Sequence, residues 1–267
     1  DKKKVLLLGE RWKSLKKITP DKVKFSENFL SYKKFKGSTL YEVIDNEILK
    51  NFLSFLDRNL WKKKLSKTSA KFKENCLLFY KHKTKSRINL YYEKSKFKDK
   101  KYIINGLKKN KLSYYLKKVD WNNISDGIES NFHGDLQFDN IIFDIDTKKF
   151  KLIDWRSDFN NQTKIGDLYY DLSKLYAGCM LPYSQIKKGN FSFIHDKDKV
   201  VLDFPINNNL IDARMEIEDY INRNKFSLQK VRIISSLIFL NMSPLHTKPF
   251  SDLLYFLGIL KLSKSVE

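Results

Sequence analysis

The chain has 267 residues, 42% of them hydrophobic, which is enough to bury a sizeable core in one large domain or two small ones. Lysines and arginines number 52 against 31 aspartates and glutamates, for a formal net charge of +21. The basic residues are dispersed, and residues 129–146 contain none. This dispersal argues against a dedicated nucleic-acid-binding surface, although a positive field attracts nucleoside triphosphates and other anions.

The cysteines and the lack of a long apolar run indicate the compartment. Cys76 and Cys179 are far apart and form no Cys-x-x-Cys pair, which favours buried thiols over a disulfide or a metal site. Such usage is typical of a reducing compartment. No apolar run approaches the roughly 18 residues that span a bilayer, and the N-terminus lacks the pattern of a signal peptide. We therefore expect a cytoplasmic protein without membrane insertion.

Hydrophobic periodicity predicts a mostly helical chain. Residues 5–17 are expected to form a helix, and residues 22–25 a short strand that precedes another extended segment near Phe29. Apolar residues at helical spacing predict one amphipathic helix over 40–61. The elements expected after it are helices over 70–81, 112–119, 167–176, 206–223, 227–242 and 250–261, a lysine-rich, partly helical surface over 82–101, a turn at 103–106, and a loop with short strands over 181–203.

The most informative segment contains His133-Gly134-Asp135, an asparagine at Asn140 and an aspartate at Asp154. A His-x-Asp loop with an Asn five residues after the Asp can aim the Asp at a substrate hydroxyl while the Asn reaches a metal, and a later Asp completes a Mg²⁺ site. Apolar runs at 141–143 and 150–153 predict two short strands with a polar turn between them. We expect this hairpin to bring the three side chains together at one end.

These motifs resemble the aminoglycoside phosphotransferase and choline kinase family, small-molecule relatives of the protein kinases. The segment 133–140 matches the family's catalytic loop, 153–155 its metal-binding segment, and 166–172 the helix that follows. Residues 29–40 look like the hinge strand and the start of the large lobe. Residues 240–246 are similar to a helix of bacterial members associated with surface-polysaccharide loci.

The resemblance implies an α+β, protein-kinase-like fold that is mostly the helical C-terminal lobe, with a catalytic β-hairpin and a truncated N-terminal lobe. Residues 1–36 would be the remnant of the N-terminal lobe and the hinge, and residues 37–267 the helical catalytic and acceptor-binding lobe. No glycine-rich turn and no strand lysine are recognisable before the hinge, and the first residue is Asp1. The rest of the small lobe is therefore expected upstream in a longer protein.

The resemblance also implies a reaction, in which ATP or GTP donates its γ-phosphoryl group to a hydroxyl of an amino alcohol, a sugar or an aminoglycoside. Within the catalytic loop, Asp135 is expected to be the base, and His133 to brace the loop by hydrogen bonding to the backbone near Asp154. Asn140 and Asp154 are expected to hold Mg²⁺. The nucleotide is expected to rest against the hinge residues Ser31, Tyr32, Lys33, Lys34 and Phe35.

Other residues near these motifs carry narrower expectations. Asp167 and Asp171 are expected to cap or anchor the helix after the metal segment. Asn160 and Asn161 stand where relatives often have Gly-Gly, and asparagine tolerates positive φ, so the turn is expected to persist. Glu10 is interpreted as a solvated helix residue or as an ion-pair partner.

Two other interpretations use the same residues differently. A catalytically silent kinase-like scaffold could bind nucleic acid or an anionic glycan through its basic surface. A non-haem iron oxygenase could use His133 and Asp135 with a distal histidine, His195 or His246. The oxygenase predicts a β-barrel, which the helical periodicity on either side of the motif argues against.

Overall fold

The computed structural model describes residues 2–62 and 68–267; Asp1 and residues 63–67 lie outside the described residues. Helices dominate this part of the chain, and the expected α+β class is confirmed. A π-helical turn (Leu78–His82) joins two of the helices, and short 3-10 turns lie at Phe138–Asn140 and Ser243–Leu245. The helices are α1 (Lys2–Leu15), α2 (Leu40–Val43), α3 (Asn46–Asn59), α4 (Ala70–Leu77), α5 (Lys83–Lys94), α6 (Leu112–Lys118), α7 (Trp121–Ser125), α8 (Leu168–Met180), α9 (Tyr183–Lys187), α10 (Asn208–Arg223), α11 (Leu228–Met242) and α12 (Phe250–Val266).

The strands are short and form small separate sheets. They are β1 (Lys24–Phe25), β2 (Leu30–Ser31), β3 (Ser38–Thr39), β4 (Tyr102–Ile104), β5 (Leu107–Lys109), β6 (Glu129–Ser130), β7 (Ile141–Asp144), β8 (Lys149–Leu152), β9 (Gly166–Asp167), β10 (Ser192–Asp196) and β11 (Lys199–Asp203). One sheet has the order β3-β7-β8 and is antiparallel; another has the order β10-β11-β4-β5; β1 pairs with β2, and β6 with β9.

Helix α8 lies at the centre of the fold, and every one of its residues is buried. It packs against α10 and α11, and α11 in turn packs against α12. A helix that is covered all round must satisfy its polar side chains internally. In α8 these are Asp171, Ser173 and Lys174, and two of them contact the loop that contains the candidate catalytic residues.

Several predicted elements are confirmed. The hairpin appears as β7 and β8, with Ile141 opposite Leu152 and Phe143 opposite Phe150. Asn160 and Asn161 adopt φ of 48° and 66°, as expected of asparagines in a glycine-like turn. Both cysteines are free and buried.

Other predictions are corrected. The helix expected over 40–61 is broken at Ile44 and Asp45, because the Asp45 carboxylate accepts the N–H of Ile48 at 2.7 Å and caps α3. The helix expected to end at 81 continues through the π-helical turn into α5, whose buried Ile88 and Tyr91 give the lysine-rich segment a core-facing side. The turn expected at 103–106 is the centre of the β4–β5 hairpin.

In the described ranges, no helix combines the length and the hydrophobicity needed to cross a bilayer. The division of the chain at residues 36 and 37 stays a prediction.

Candidate functional site

The loop that contains His133, Gly134 and Asp135 is fixed by hydrogen bonds to α8. The two oxygens of the Asp171 carboxylate accept the backbone N–H groups of His133 at 2.8 Å and Gly134 at 2.7 Å. Burial raises the pKa of the Asp171 carboxyl to about 6, although these hydrogen bonds oppose the shift. Gly134 has a φ of 86°, and a Cβ there would lie 2.6 Å from the Cβ of Arg156. The position therefore requires glycine on both conformational and steric grounds.

Asp167 and Asp171 divide the role that the sequence suggested for both. Asp167 is the N-cap of α8, since its carboxylate accepts the N–H of Tyr169 at 3.1 Å. It also accepts the Tyr80 hydroxyl at 2.8 Å and the N–H of Ile128 at 2.9 Å. Asp171 holds the loop instead of capping the helix.

His133 is fully buried and acts on the loop backbone. Its Nδ1 accepts the N–H of Asp135 at 3.2 Å. Burial lowers the pKa of the imidazole to about 4, although the Asp135 carboxylate opposes this, so the ring is neutral at pH 7. The expected hydrogen bond from His133 to the backbone beside Asp154 is not formed, because Nε2 has no hydrogen-bond partner among the described residues. The Ile153 backbone is nevertheless close enough to raise the pKa of His133.

Asp135 forms an ion pair with Lys174 of α8, with 2.8 Å between Oδ1 and Nζ. Burial by itself would raise the pKa of the Asp135 carboxyl, but the Lys174 ammonium, His133 and Arg156 together outweigh it. The net effect is a pKa below the usual value, so the carboxylate is ionised at neutral pH. Asp135 in turn raises the pKa of Lys174 against the effect of burial.

Asn140 connects this loop to the segment after β8. Its Nδ2 donates to the backbone carbonyl of Asp135 at 2.9 Å, and its own backbone carbonyl accepts the N–H of Ile153 at 3.0 Å. This arrangement fixes the amide and leaves Oδ1 without a hydrogen bond from the described residues. The predicted metal ligands are therefore tied together through their backbones.

Asp154 follows directly and adopts a φ of 55°, a conformation that aspartate tolerates better than most residues. Burial raises the pKa of its carboxyl, and the nearby Asp135 carboxylate raises it further, while Lys187 and Lys4 oppose the shift. A cation bound beside the two carboxylates would relieve the repulsion between them. Across residues 2–62 and 68–267, no three His, Cys, Asp or Glu side chains are grouped to hold a metal.

Two cavities meet at Asp135 and Arg156, which line both. The first, which we call the Asp154 cleft, has a volume of about 400 Å³. Its other walls are Lys4, Leu8, Leu30, Asp154, Trp155 and Ser157.

The second cavity, which we call the helical pocket, has a volume of about 290 Å³ and lies between α5, α8 and α11. The side chains that characterise it are Phe79, Lys83, Arg87, Lys174, Asn241 and His246. Burial lowers the pKa of His246, and Lys174 lowers it further. His246 thus lies in a candidate acceptor site, whereas His195 is in β10 and its Nε2 lies 3.1 Å from the carbonyl of Lys197.

Helix α1 is fastened to the site by Arg11, which sequence reasoning missed. Arg11 is fully buried and donates to three backbone carbonyls, of Phe132, of Arg156 at 3.2 Å and of Thr163 at 3.1 Å. Its guanidinium also lies 3.9 Å from the centre of the Phe132 ring. The neighbouring Glu10, which the sequence had singled out, is exposed, as the solvated interpretation expected. A signal was present, since Arg11 is on the same helical face as Leu8 and Leu15.

Lys174 was also missed by sequence reasoning, although its spacing from Asp171 can be read from the sequence. It lies three residues after Asp171 on α8, and residues at this spacing share a helix face. A helix that directs Asp171 to the loop therefore directs Lys174 to the same region.

The structure shows only part of the predicted hinge close to the Asp154 cleft. Leu30, which precedes them, lines the Asp154 cleft, and Tyr32 is close enough to Asp154 for that carboxylate to add to burial in raising the tyrosine pKa. The N–H of Lys33 donates to the carbonyl of Asp21 at 2.9 Å, and Lys34 is exposed. The nucleotide-binding role of 31–35 stays a prediction.

Comparison with known proteins finds no matching protein family and no matching curated sequence. Among solved structures, the chain is similar to an ethanolamine kinase of Plasmodium vivax, with 14% sequence identity and a TM-score of 0.46. The similarity covers 96% of this chain and 71% of the kinase chain. Similarity at this level assigns neither a family nor an activity, so any function rests on the contacts of the site.

Proposed function

We propose that the protein transfers the γ-phosphoryl group of ATP or GTP to a hydroxyl group of a small molecule. The observation that supports this most directly is the position of Asp135 on the wall shared by the Asp154 cleft and the helical pocket. Transfer between two substrates requires the donor and the acceptor to meet at one catalytic group. A carboxylate at that meeting point is suited to the base of the reaction.

In this proposal Asp135 accepts the proton of the acceptor hydroxyl. Lys174 keeps the carboxylate ionised through their 2.8 Å ion pair. His133 and Asp171 position the backbone on which Asp135 stands, through the hydrogen bonds to the N–H groups of 133–135. The loop is therefore fixed before substrate arrives, which lowers the cost of orienting the base.

The residues fit a magnesium ion, because Oδ1 of Asn140 accepts no hydrogen bond from residues 2–62 and 68–267, and the ionised form of Asp154 is disfavoured by the neighbouring Asp135 carboxylate. We propose that Asn140 and Asp154 are its protein ligands, since Mg²⁺ prefers oxygen donors and shares its coordination with phosphates and water. When bound, such an ion neutralises charge on the phosphate oxygens. Lys4 lines the Asp154 cleft and is positioned to contact phosphates, and residues 31–35 are proposed to contact the purine ring of the nucleotide.

The test is a labelled-phosphate transfer assay with Mg²⁺ and ATP or GTP, against a panel of amino alcohols, sugars and aminoglycosides. Asp135→Asn should abolish transfer and leave nucleotide affinity nearly unchanged, because the base acts on the acceptor. Asp154→Asn should weaken the binding of Mg²⁺ with nucleotide as well as transfer. Asp212→Asn, which removes an exposed carboxylate that lines neither cavity, is the matched control.

Complete inactivity of the wild type on the panel, together with no binding of Mg²⁺ and nucleotide in a calorimetric titration, would contradict the proposal. Identical behaviour of the two site variants in that titration would contradict the division of roles between Asp135 and Asp154.

A further inference from the structure

The helical pocket is strongly cationic. Four basic side chains line it, those of Lys83, Arg87, Arg156 and Lys174, and Asp135 is the carboxylate among its lining residues. Since Lys174 is paired with Asp135, three basic side chains are left facing the cavity, those of Lys83, Arg87 and Arg156. This excess is a property of the pocket and differs from the dispersed positive charge of the chain as a whole.

The charges converge because three separate elements each contribute. Lys83 and Arg87 are four residues apart on α5 and therefore share one helix face. On the same helix, Lys85 is exposed and does not line this pocket. Lys174 comes from α8, and Arg156 from the loop after β8.

The three cations lack carboxylate partners within the described ranges. Lys83 and Arg156 both lie over the ring of Phe79, with distances to its centre of 4.2 Å and 5.0 Å. The Nε of Arg156 donates to the backbone carbonyl of Asp158 at 2.8 Å. No ion pair between Lys83, Arg87 or Arg156 and a carboxylate is formed among residues 2–62 and 68–267.

Two other carboxylates, those of Asp158 and Asp139, have partners of their own. Asp158 acts weakly on Lys83, but its side chain accepts the hydroxyl of Ser157 at 2.9 Å and the N–H of Asn161 at 2.9 Å. Asp139 forms an ion pair with Lys187 at 2.9 Å.

Holding these cations together has an electrostatic cost. Burial, followed in order of size by Arg156, Lys174 and Arg87, lowers the pKa of Lys83 to about 7, while Asp158 opposes the shift. A group in this environment gains from a negative charge brought into the cavity. A positively charged ligand would add to the repulsion.

We infer that the acceptor of the proposed reaction is an anionic hydroxyl compound, whose carboxylate or phosphate group binds between Lys83, Arg87 and Arg156 while its hydroxyl faces Asp135. This inference rests on the proposed function and narrows it, since cationic amino alcohols and aminoglycosides are excluded from the pocket. In the reaction, the acceptor oxygen forms a bond to the γ-phosphorus, Asp135 takes the hydroxyl proton, and the bond from that phosphorus to the β–γ bridging oxygen breaks. The products are a phosphate ester and a nucleoside diphosphate.

The experiment compares acceptors that have the same framework and different charge. One series is glucuronate, glucose and glucosamine, with glucose 1-phosphate to distinguish a phosphate from a carboxylate; the other is glycerate, glycerol and 2-amino-1,3-propanediol. In at least one series, the anionic member should have a kcat/KM roughly 10- to 100-fold above that of the cationic member, the range expected for hydrogen bonds between charged partners.

Lys83→Met and Arg87→Gln should each lower kcat/KM for the anionic compound more than for the neutral compound, and so remove most of the preference for the anion. Lys85→Met is the matched control on the same helix and should retain the preference. Calorimetric titration of glucuronate, glycerate and inorganic phosphate in the absence of nucleotide measures the same site without requiring turnover.

The outcomes distinguish failure of the anion site from failure of the proposed reaction. Transfer that favours the cationic or neutral members would overturn the anionic acceptor and leave the phosphotransferase intact. Anion binding that depends on Lys83 and Arg87, without transfer to any compound, would support the anion site and contradict the proposed reaction. Absence of anion binding, or binding that the Lys83 and Arg87 variants do not weaken, overturns the inference.

Discussion

Replacing Asp171 with asparagine should change how the stability of the protein depends on pH. Asp171 is fully buried, and its pKa rises to about 6 from an ordinary value of 3.8, mainly because burial disfavours the charged form. The folded protein therefore holds this proton more tightly than the unfolded chain. The stabilisation from the protonated group is fully present below about pH 3.8 and is lost as the pH rises through about 6.

The size of the effect follows from the two pKa values. Linkage gives a loss of about 1.6 kcal/mol by pH 5 and about 2.9 kcal/mol by pH 7, at roughly 1.36 kcal/mol for each unit of pKa. Asp171→Asn removes this titration. The free energy of unfolding of the wild type relative to the variant should therefore fall by about 1.3 kcal/mol between pH 5 and pH 7.

The variant also loses an acceptor for the loop. Its single amide oxygen can accept the N–H of His133 or that of Gly134, and the amide nitrogen then faces the other N–H. An unsatisfied buried donor costs about 1–3 kcal/mol, independent of pH over this range. At pH 5 this cost is comparable to the relief of about 1.6 kcal/mol, whereas at pH 7 the relief of about 2.9 kcal/mol offsets it, so the variant gains stability relative to the wild type as the pH rises.

Urea unfolding at pH 5, 6 and 7, followed by tryptophan fluorescence at constant ionic strength, measures the difference. Glu10→Gln, at an exposed position, is the control: it measures how the free energy of unfolding changes when a carboxylate is removed from the surface. If the difference in free energy of unfolding between the wild type and Asp171→Asn stays constant from pH 5 to pH 7, the prediction that the pKa of Asp171 is raised is wrong.

Three further changes test the contacts around the loop. Lys174→Met should move the acidic limb of the pH–rate profile upward by roughly 1–3 units, because the Asp135 carboxylate loses its opposing charge; an unmoved limb would contradict this. Arg11→Met should lower the free energy of unfolding by about 3 kcal/mol or more in urea titrations, because three backbone carbonyls lose their donor at roughly 1 kcal/mol or more each, whereas the exposed Lys13→Met on the same helix should change it by less than about 0.5 kcal/mol. Gly134→Ala should reduce both transfer and stability, since its Cβ would lie 2.6 Å from that of Arg156, and wild-type values in both assays would argue against the positive φ and close approach at this residue.

The parts of the fold that the sequence predicted well are those determined by local patterns. The β7–β8 hairpin follows from two apolar runs with a polar turn between them, and α10, α11 and α12 follow from helical periodicity. The break before α3 was missed because the apolar spacing continues across it. The capping residue Asp45 was visible in the sequence but competed with that stronger periodic signal.

The parts of the site that escaped prediction depend on contacts between residues distant in the chain. Arg11 reaches the carbonyl of Arg156, 145 positions away, and no local pattern indicates which carbonyl a buried guanidinium will meet. The charge of the helical pocket has the same origin. The spacing of Lys83 and Arg87 is local, but Arg156 and Lys174 approach them only when the chain folds.

Helix α8 explains why the local motif and the distant contacts form one site. Asp171 and Lys174, three residues apart, lie on one buried face of it. Asp171 binds the backbone of the loop, and Lys174 binds the carboxylate that the loop presents. A displacement of α8 would therefore alter the position of Asp135 and its charge at the same time. Because α11 packs on α8 and also lines the helical pocket, the same helix pair sets the shape of that pocket and the charge of Asp135, the proposed base. Substitutions in the α8–α11 contact should thus affect turnover and acceptor binding together, even where they touch neither substrate.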